Sequence, residues 1–143
     1  MIVTILYRLE NEPAVSGSLP FDDVKPGSYY ENAIMWAAEN NIVSGYGNRM
    51  FGPDDHITRE QMAAILWRYA MYTGYDVSVG EDTNILSYDD AQSVSEYAVP
   101  AMQWACGDGI ISGTSATTLS PQGNATRAQV AAILHRFCEK LEK

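Results

Sequence analysis

The chain repeats itself, and that constrains its fold more than any other feature of the sequence. Displaced by 68 positions, Trp36-Ala37 falls on Trp104-Ala105, Ile42-Val43-Ser44-Gly45 on Ile110-Ile111-Ser112-Gly113, and Pro53 on Pro121. The match continues from Thr58-Arg59-Glu60-Gln61-Met62 onto Thr126-Arg127-Ala128-Gln129-Val130, and on to Tyr69 over Phe137. Upstream, Leu19-Pro20-Phe21-Asp22-Asp23 matches Leu86-Ser87-Tyr88-Asp89-Asp90 at a shift of 67. A shift of 60 lays Ile5-Leu6-Tyr7-Arg8-Leu9 over Ile65-Leu66-Trp67-Arg68-Tyr69, so the chain is expected to open inside a further copy. The expected organisation is the last helix of a first repeat at 1–15, a second repeat at 16–72, a polar surface linker at 73–85 and a third repeat at 86–143.

Each full copy reads as helix, loop, helix. In the first, Ser28 and Glu31 form a capping box, Tyr30, Ala33, Ile34 and Ala37 recur at helical spacing, and the pattern stops at Asn40-Asn41. A loop with Gly45, Gly47, Gly52 and Pro53 follows, with a short extended piece at Ile42-Val43. Thr58 with Gln61, and Thr126 with Gln129, then cap the second helix of each copy. Met62, Ile65, Leu66 and Tyr69 form an apolar stripe, repeated by Val130, Ile133, Leu134 and Phe137 and by Ile2, Ile5, Leu6 and Leu9. The expected fold is all-α, with helix-loop-helix repeats set around a pseudo-threefold bundle of the long helices. Pro100 aligns with Asn32 and lacks an N–H, so the first helix of the last copy is expected to begin late or bend there.

Composition narrows function by exclusion. Nine Lys and Arg against 18 Asp and Glu give a net charge of -9, and nothing supplies the clustered cations that a phosphate backbone needs. Nucleic acid is excluded as a partner. No apolar run is longer than that of Met62 to Trp67, far short of the roughly 18 residues of a membrane span, so no membrane insertion is expected. The segment Met1 to Arg8 has neither a basic leader nor a cleavage site, and does not read as a signal peptide. Cys106, Cys138, His56 and His135 have no ligand spacing, and Asp22-Asp23, Asp54-Asp55 and Asp89-Asp90 lack the pattern of a calcium loop. Neither metal nor cofactor is expected. Turn and capping roles account for these aspartates, and no acid and base are paired for catalysis, so the chain does not read as an enzyme. The two cysteines read as buried thiols or, in an exported protein, as a disulfide.

Phe21-Asp22-Asp23-Val24, Ile42-Val43-Ser44-Gly45-Tyr46-Gly47 before Phe51-Gly52-Pro53, and Ile57-Thr58-Arg59-Glu60 together resemble the bacterial S-layer homology domain. The resemblance implies a non-catalytic module that anchors surface proteins or exoenzymes to a secondary cell-wall polysaccharide, often a pyruvylated one. It places the chain at the cell wall, outside the cell. It also implies a glycan groove lined by Ser44, Gly45, Tyr46 and Asp22 or Asp23 in one copy, and by Ser112, Gly113 and Asp89 or Asp90 in the other. The second copy departs from the pattern, with Thr114 for Tyr46, Leu119 for Phe51 and Gln122-Gly123 for Asp54-Asp55.

The residues agree with that implication at Arg59 and Arg127. Each follows an N-cap threonine, where first-turn N–H groups and the helix dipole favour an anion, and arginine can grip a carboxylate with two donors. Both also read as solvated first-turn residues. Trp36 and Trp104 read as core, and Arg8, Arg68 and Arg136, late in the long helices, as structural. A competing reading makes the repeats a structural or protein-interaction module. The incomplete first copy is expected to leave apolar surface open, favouring a homodimer or exchange of the N-terminal helix.

Overall fold

The computed structural model describes residues 2–15, 23, 27, 30–43, 57–82, 84–85, 88–111 and 118–141. The fold is all-α. Five helices follow in order: α1 (Ile2–Leu9), α2 (Glu31–Glu39), α3 (Arg59–Thr73), α4 (Val99–Gly107) and α5 (Arg127–Leu141). Three short 3-10 turns, Ser78–Asp82, Ala91–Ser93 and Glu96–Ala98, lie between α3 and α4. Among the described residues the only isolated backbone bridge is Thr58 with Asn124, antiparallel, and Ile42-Val43 forms no strand.

Packing is offset by half a repeat from the sequence. The chain divides into two compact units, Met1–Asp55 and His56–Lys143, so the two helices of the second sequence repeat fall in different units. In the first unit α1 packs on α2, with the rings of Tyr7 and Trp36 5.6 Å apart. In the second α3 packs on α4, the same pairing of one copy's last helix with the next copy's first.

Helix ends bear out much of the sequence reading. Thr58 caps α3 with a full capping box, its Oγ1 accepting the Gln61 N–H while the Gln61 side chain accepts the Thr58 N–H. Thr126 and Gln129 repeat the exchange at α5. Both first helices close alike: Ile42 N–H reaches Ala37 O and Ile110 N–H reaches Ala105 O, each at 2.8 Å. The sharp reversal needs a left-handed residue, supplied by Asn41 (φ 59°) and Gly109 (φ 74°). Pro100 lies in the first turn of α4, whose late start follows the 3-10 turn Glu96–Ala98 and spares the missing N–H. The start of α2 differs from expectation. Tyr30 is its N-cap without a side-chain bond, and Glu31 instead accepts the Gly27 N–H at 2.9 Å; Ser28 lies outside the described residues.

Burial follows the apolar stripes with one shift. Met62, Leu66 and Tyr69 of α3, and Ile133, Leu134 and Phe137 of α5, are buried, whereas Ile65 and Val130 are half-buried. Phe137 stands edge-on to Trp104 at 6.0 Å and tilted against Tyr69 at 5.9 Å, joining α3, α4 and α5. On α1, Ile2, Val3 and Leu6 are buried while Ile5 and Leu9 are exposed, so its inward face is rotated from the one the alignment implied.

The segment 73–85 is held down at two points. Asp76 and Ser78 are exposed, but Gly80 and Ile85 are buried, and the turn Ser78–Asp82 packs on α4. A Cβ on Gly80 would lie 2.9 Å from the Trp104 backbone nitrogen, and backbone cannot swing aside. Gly80→Ala is expected to cost about 1–3 kcal/mol, the usual range for overpacking, in urea unfolding. A loss under about 0.5 kcal/mol would show that this turn lifts off α4 freely.

Candidate functional site

The start of an isolated α-helix leaves its first N–H groups without acceptors. At α3 those groups are taken by the next repeat. The Arg59 N–H donates to Gly123 O and the Glu60 N–H to Pro121 O, both at 3.0 Å. Thr58 takes the following two, its Oγ1 from Gln61 and its carbonyl from Met62. Ala125 N–H closes the pairing on Ile57 O at 2.9 Å. The expectation of open first-turn donors for an anion is thus corrected at α3: a turn at 120–124 fills them, itself tied by Gly123 N–H to Ser120 O and by Ser120 at φ 52°.

The side chains strengthen the junction. Arg59 is only 4% exposed, and its Nε donates to Leu119 O at 2.8 Å. Asp90 holds the same stretch from the opposite polarity, Oδ1 accepting the Leu119 N–H at 2.7 Å and Oδ2 the Ser120 N–H at 2.8 Å. Glu60, 3% exposed, accepts the Ser95 N–H at 2.9 Å, and Gln122 reaches Ser93 O and Ser95 Oγ. The Leu119 backbone bond, against some desolvation and aided by Ser120 and Arg59, holds the Asp90 carboxyl below its usual value. Burial pulls the Arg59 guanidinium down, opposed by Cys106 and Asp90, and burial pushes the Cys106 thiol up against the pull of Arg59.

Of the residues singled out from sequence, the structure brings Arg59 of the second repeat together with Asp90 of the third. Asp89, beside Asp90, is exposed, and Asp23 is half-buried in a turn of the first unit. Arg127 opens α5, and its side chain is not described. Asp22, Ser44, Gly45, Tyr46, Ser112 and Gly113 lie outside the described residues. Trp36 and Trp104 are buried, as read from sequence. Arg136 donates to Ile110 O at 3.4 Å, a structural contact to another helix end.

Sequence reasoning missed Glu60, Ser95 and the carbonyls of Leu119, Pro121 and Gly123. One signal was present. Glu60 is replaced by Ala128 at the equivalent position, and Glu60 is buried against Ser95 whereas Ala128 is exposed.

Elsewhere the chemistry is sparse. An open groove of about 560 Å³ between Ile85, Val94, Val99 and Gln103 carries Glu96 and no cationic side chain. Cys106 and Cys138 are both half-buried. Among the described residues no group of three or more His, Cys, Asp or Glu could hold a metal ion, and no helix is long and apolar enough to cross a membrane.

The Asp90 contacts set a pH dependence. Because its folded value is depressed, its contribution to stability is fully present above the unfolded value near 3.8 and is lost as pH falls through the lower folded one. Urea midpoints measured on both sides of pH 4 are expected to fall less steeply for Asp90→Asn than for the wild type. Parallel curves would count against the Leu119–Ser120 contacts.

The S-layer homology domain matches residues 20–63 and 87–131. The chain is 40% identical over 130 residues to an exoglucanase, XynX, of Acetivibrio thermocellus, covering 90% of this chain and 11% of that protein. It is 38% identical over 137 residues to an amylopullulanase of Thermoanaerobacterium thermosulfurigenes, covering 95% and 7%. It is 27% identical over 131 residues to a cellulosome-anchoring protein of Acetivibrio thermocellus, covering 92% and 28%. The chain spans about a tenth of the first two relatives. With more than half of its length matched, the chain belongs to the S-layer homology domain family.

Proposed function

We propose that this chain is a non-catalytic anchoring module at the cell surface, binding an anionic secondary cell-wall polysaccharide between neighbouring repeats. The observation that carries the reading is the placement of Arg59, a family-motif arginine set at the junction of two repeats with its Nε fixed on Leu119 O. Relatives named as a cellulosome-anchoring protein and a surface-layer protein support the surface role, and the enzymes among them carry this region as a small part of a longer chain. A guanidinium held in one plane suits the two parallel bonds a carboxylate makes, and a pyruvyl ketal supplies such a carboxylate. Burial strengthens that attraction by excluding water from around the charge. Arg127 is the corresponding candidate at the start of α5.

Burial of Arg59 also favours a second reading, in which the arginine is an inter-repeat strut and the repeats serve protein contacts. Arg59→Lys keeps the charge and removes the two-donor grip. Pull-down with isolated Gram-positive cell walls is expected to fall at least about tenfold for this variant, and for the wild type once the secondary polymer is extracted. Undiminished binding by folded Arg59→Lys would favour the strut.

Self-association belongs to the proposal. Ala128, Ala131 and Ala132 of α5 are exposed, whereas Glu60, Ala63 and Ala64, their α3 counterparts, are buried, and Ile5 and Leu9 are exposed on α1. A second copy covering these faces gives a dimer, by docking or by exchange of α1. Sedimentation equilibrium is expected to show a dimer that Ala132→Glu weakens; a monomer at high concentration would remove this part of the reading.

A further inference from the structure

We infer that Asp90 is the positioning residue of Arg59: without touching the polymer, it fixes the Leu119–Ser120 stretch whose carbonyl orients the guanidinium. The inference rests on the reading of Arg59 as the carboxylate-binding group.

Three observations give Asp90 this role. Each of its two oxygens accepts a backbone N–H, at 2.7 and 2.8 Å. A carboxylate also repels the carboxylates of an anionic polymer. And the Leu119 peptide unit is gripped at both ends, its N–H by Asp90 and its carbonyl by the Arg59 Nε at 2.8 Å. Ser120, also held by Asp90, stands at φ 52°, a left-handed conformation that L-residues adopt only when their surroundings impose it. Asp90 supplies part of that imposition. Through it, a residue preceding the 3-10 turn Ala91–Ser93 of one repeat sets the orientation of an arginine on α3 of the repeat before.

Charge and geometry act in opposite directions here, which makes the inference decidable. The negative charge of Asp90 lies close enough to Arg59 to hold its own proton less tightly, and it offsets part of the positive potential offered to an anion. Removing it by charge alone strengthens polymer binding. Removing it as a positioning group weakens binding, because the guanidinium loses its fixed plane.

The test compares Asp90→Asn and Asp90→Glu with the wild type on isolated Gram-positive walls that retain their secondary polymer, with folding checked by circular dichroism. Both variants are expected to bind about tenfold more weakly. In ligand-free protein the Arg59 Nε–H resonance, assigned by its loss in Arg59→Lys, is expected to lose its protection from exchange in both. Asp90→Glu retains the charge and lengthens the side chain by one methylene, so its loss reports geometry, and it keeps the test open where Asp90→Asn fails to fold. Equal or tighter binding by the variants overturns the inference, as does an Nε–H signal that exchanges as in the wild type. An equal loss in Glu139→Gln, which removes a charge from the exposed side of α5, overturns it too. If Arg59→Lys binds walls as well as the wild type, the reading of Arg59 as the carboxylate-binding group falls, while the Nε–H signal still decides whether Asp90 positions Arg59.

Discussion

The structure depends on the way the start of α3 is completed by the repeat that follows it. A helix start has orphan donors that must find acceptors when they are buried. Here Arg59 and Glu60 are almost wholly out of solvent, and their N–H groups are met by Gly123 O and Pro121 O. Two consecutive charged side chains become tolerable in that place because each has a partner on the same neighbour, Arg59 on Leu119 O and Glu60 on Ser95 N–H. Taking the neighbour away would expose two backbone donors and leave two charges without those bonds. The repeat is therefore incomplete by itself at this end.

That incompleteness explains the half-repeat offset of the packing. The last helix of one copy and the first helix of the next form the compact pair, seen as α1 with α2 and as α3 with α4. Equivalent helices also differ in burial: along α3 the face bearing Glu60, Ala63 and Ala64 is buried, and along α5 the same face, bearing Ala128, Ala131 and Ala132, is exposed.

Local features of the fold were legible in sequence, and relations between repeats were much less so. Thr58 and Thr126 announced helix starts because a capping box is written within four residues, and Asn40-Asn41 announced an end because a left-handed residue must follow the last turn. Pro100 announced a delayed start for the same kind of local reason. The burial of Arg59 was not legible, since a first-turn arginine looks solvated until the turn at 120–124 is laid over it. Asp90 was legible as a candidate and not as a role: its partners, the Leu119 and Ser120 N–H groups, are backbone atoms some thirty positions away with no signature in residue type. The face of α1 was misjudged at Ile5 and Leu9 because alignment with α3 carried over a burial pattern that depends on each helix's own neighbours.

Amide hydrogen exchange at Arg59 and Glu60 tests the central claim most directly. First-turn amides of a helix ordinarily exchange fast, having no acceptor within the helix. The account requires these two to exchange as slowly as the interior amides of α3, near Leu66, because they open only when the neighbouring repeat leaves. Fast exchange at both, with Leu66 still protected, would contradict it.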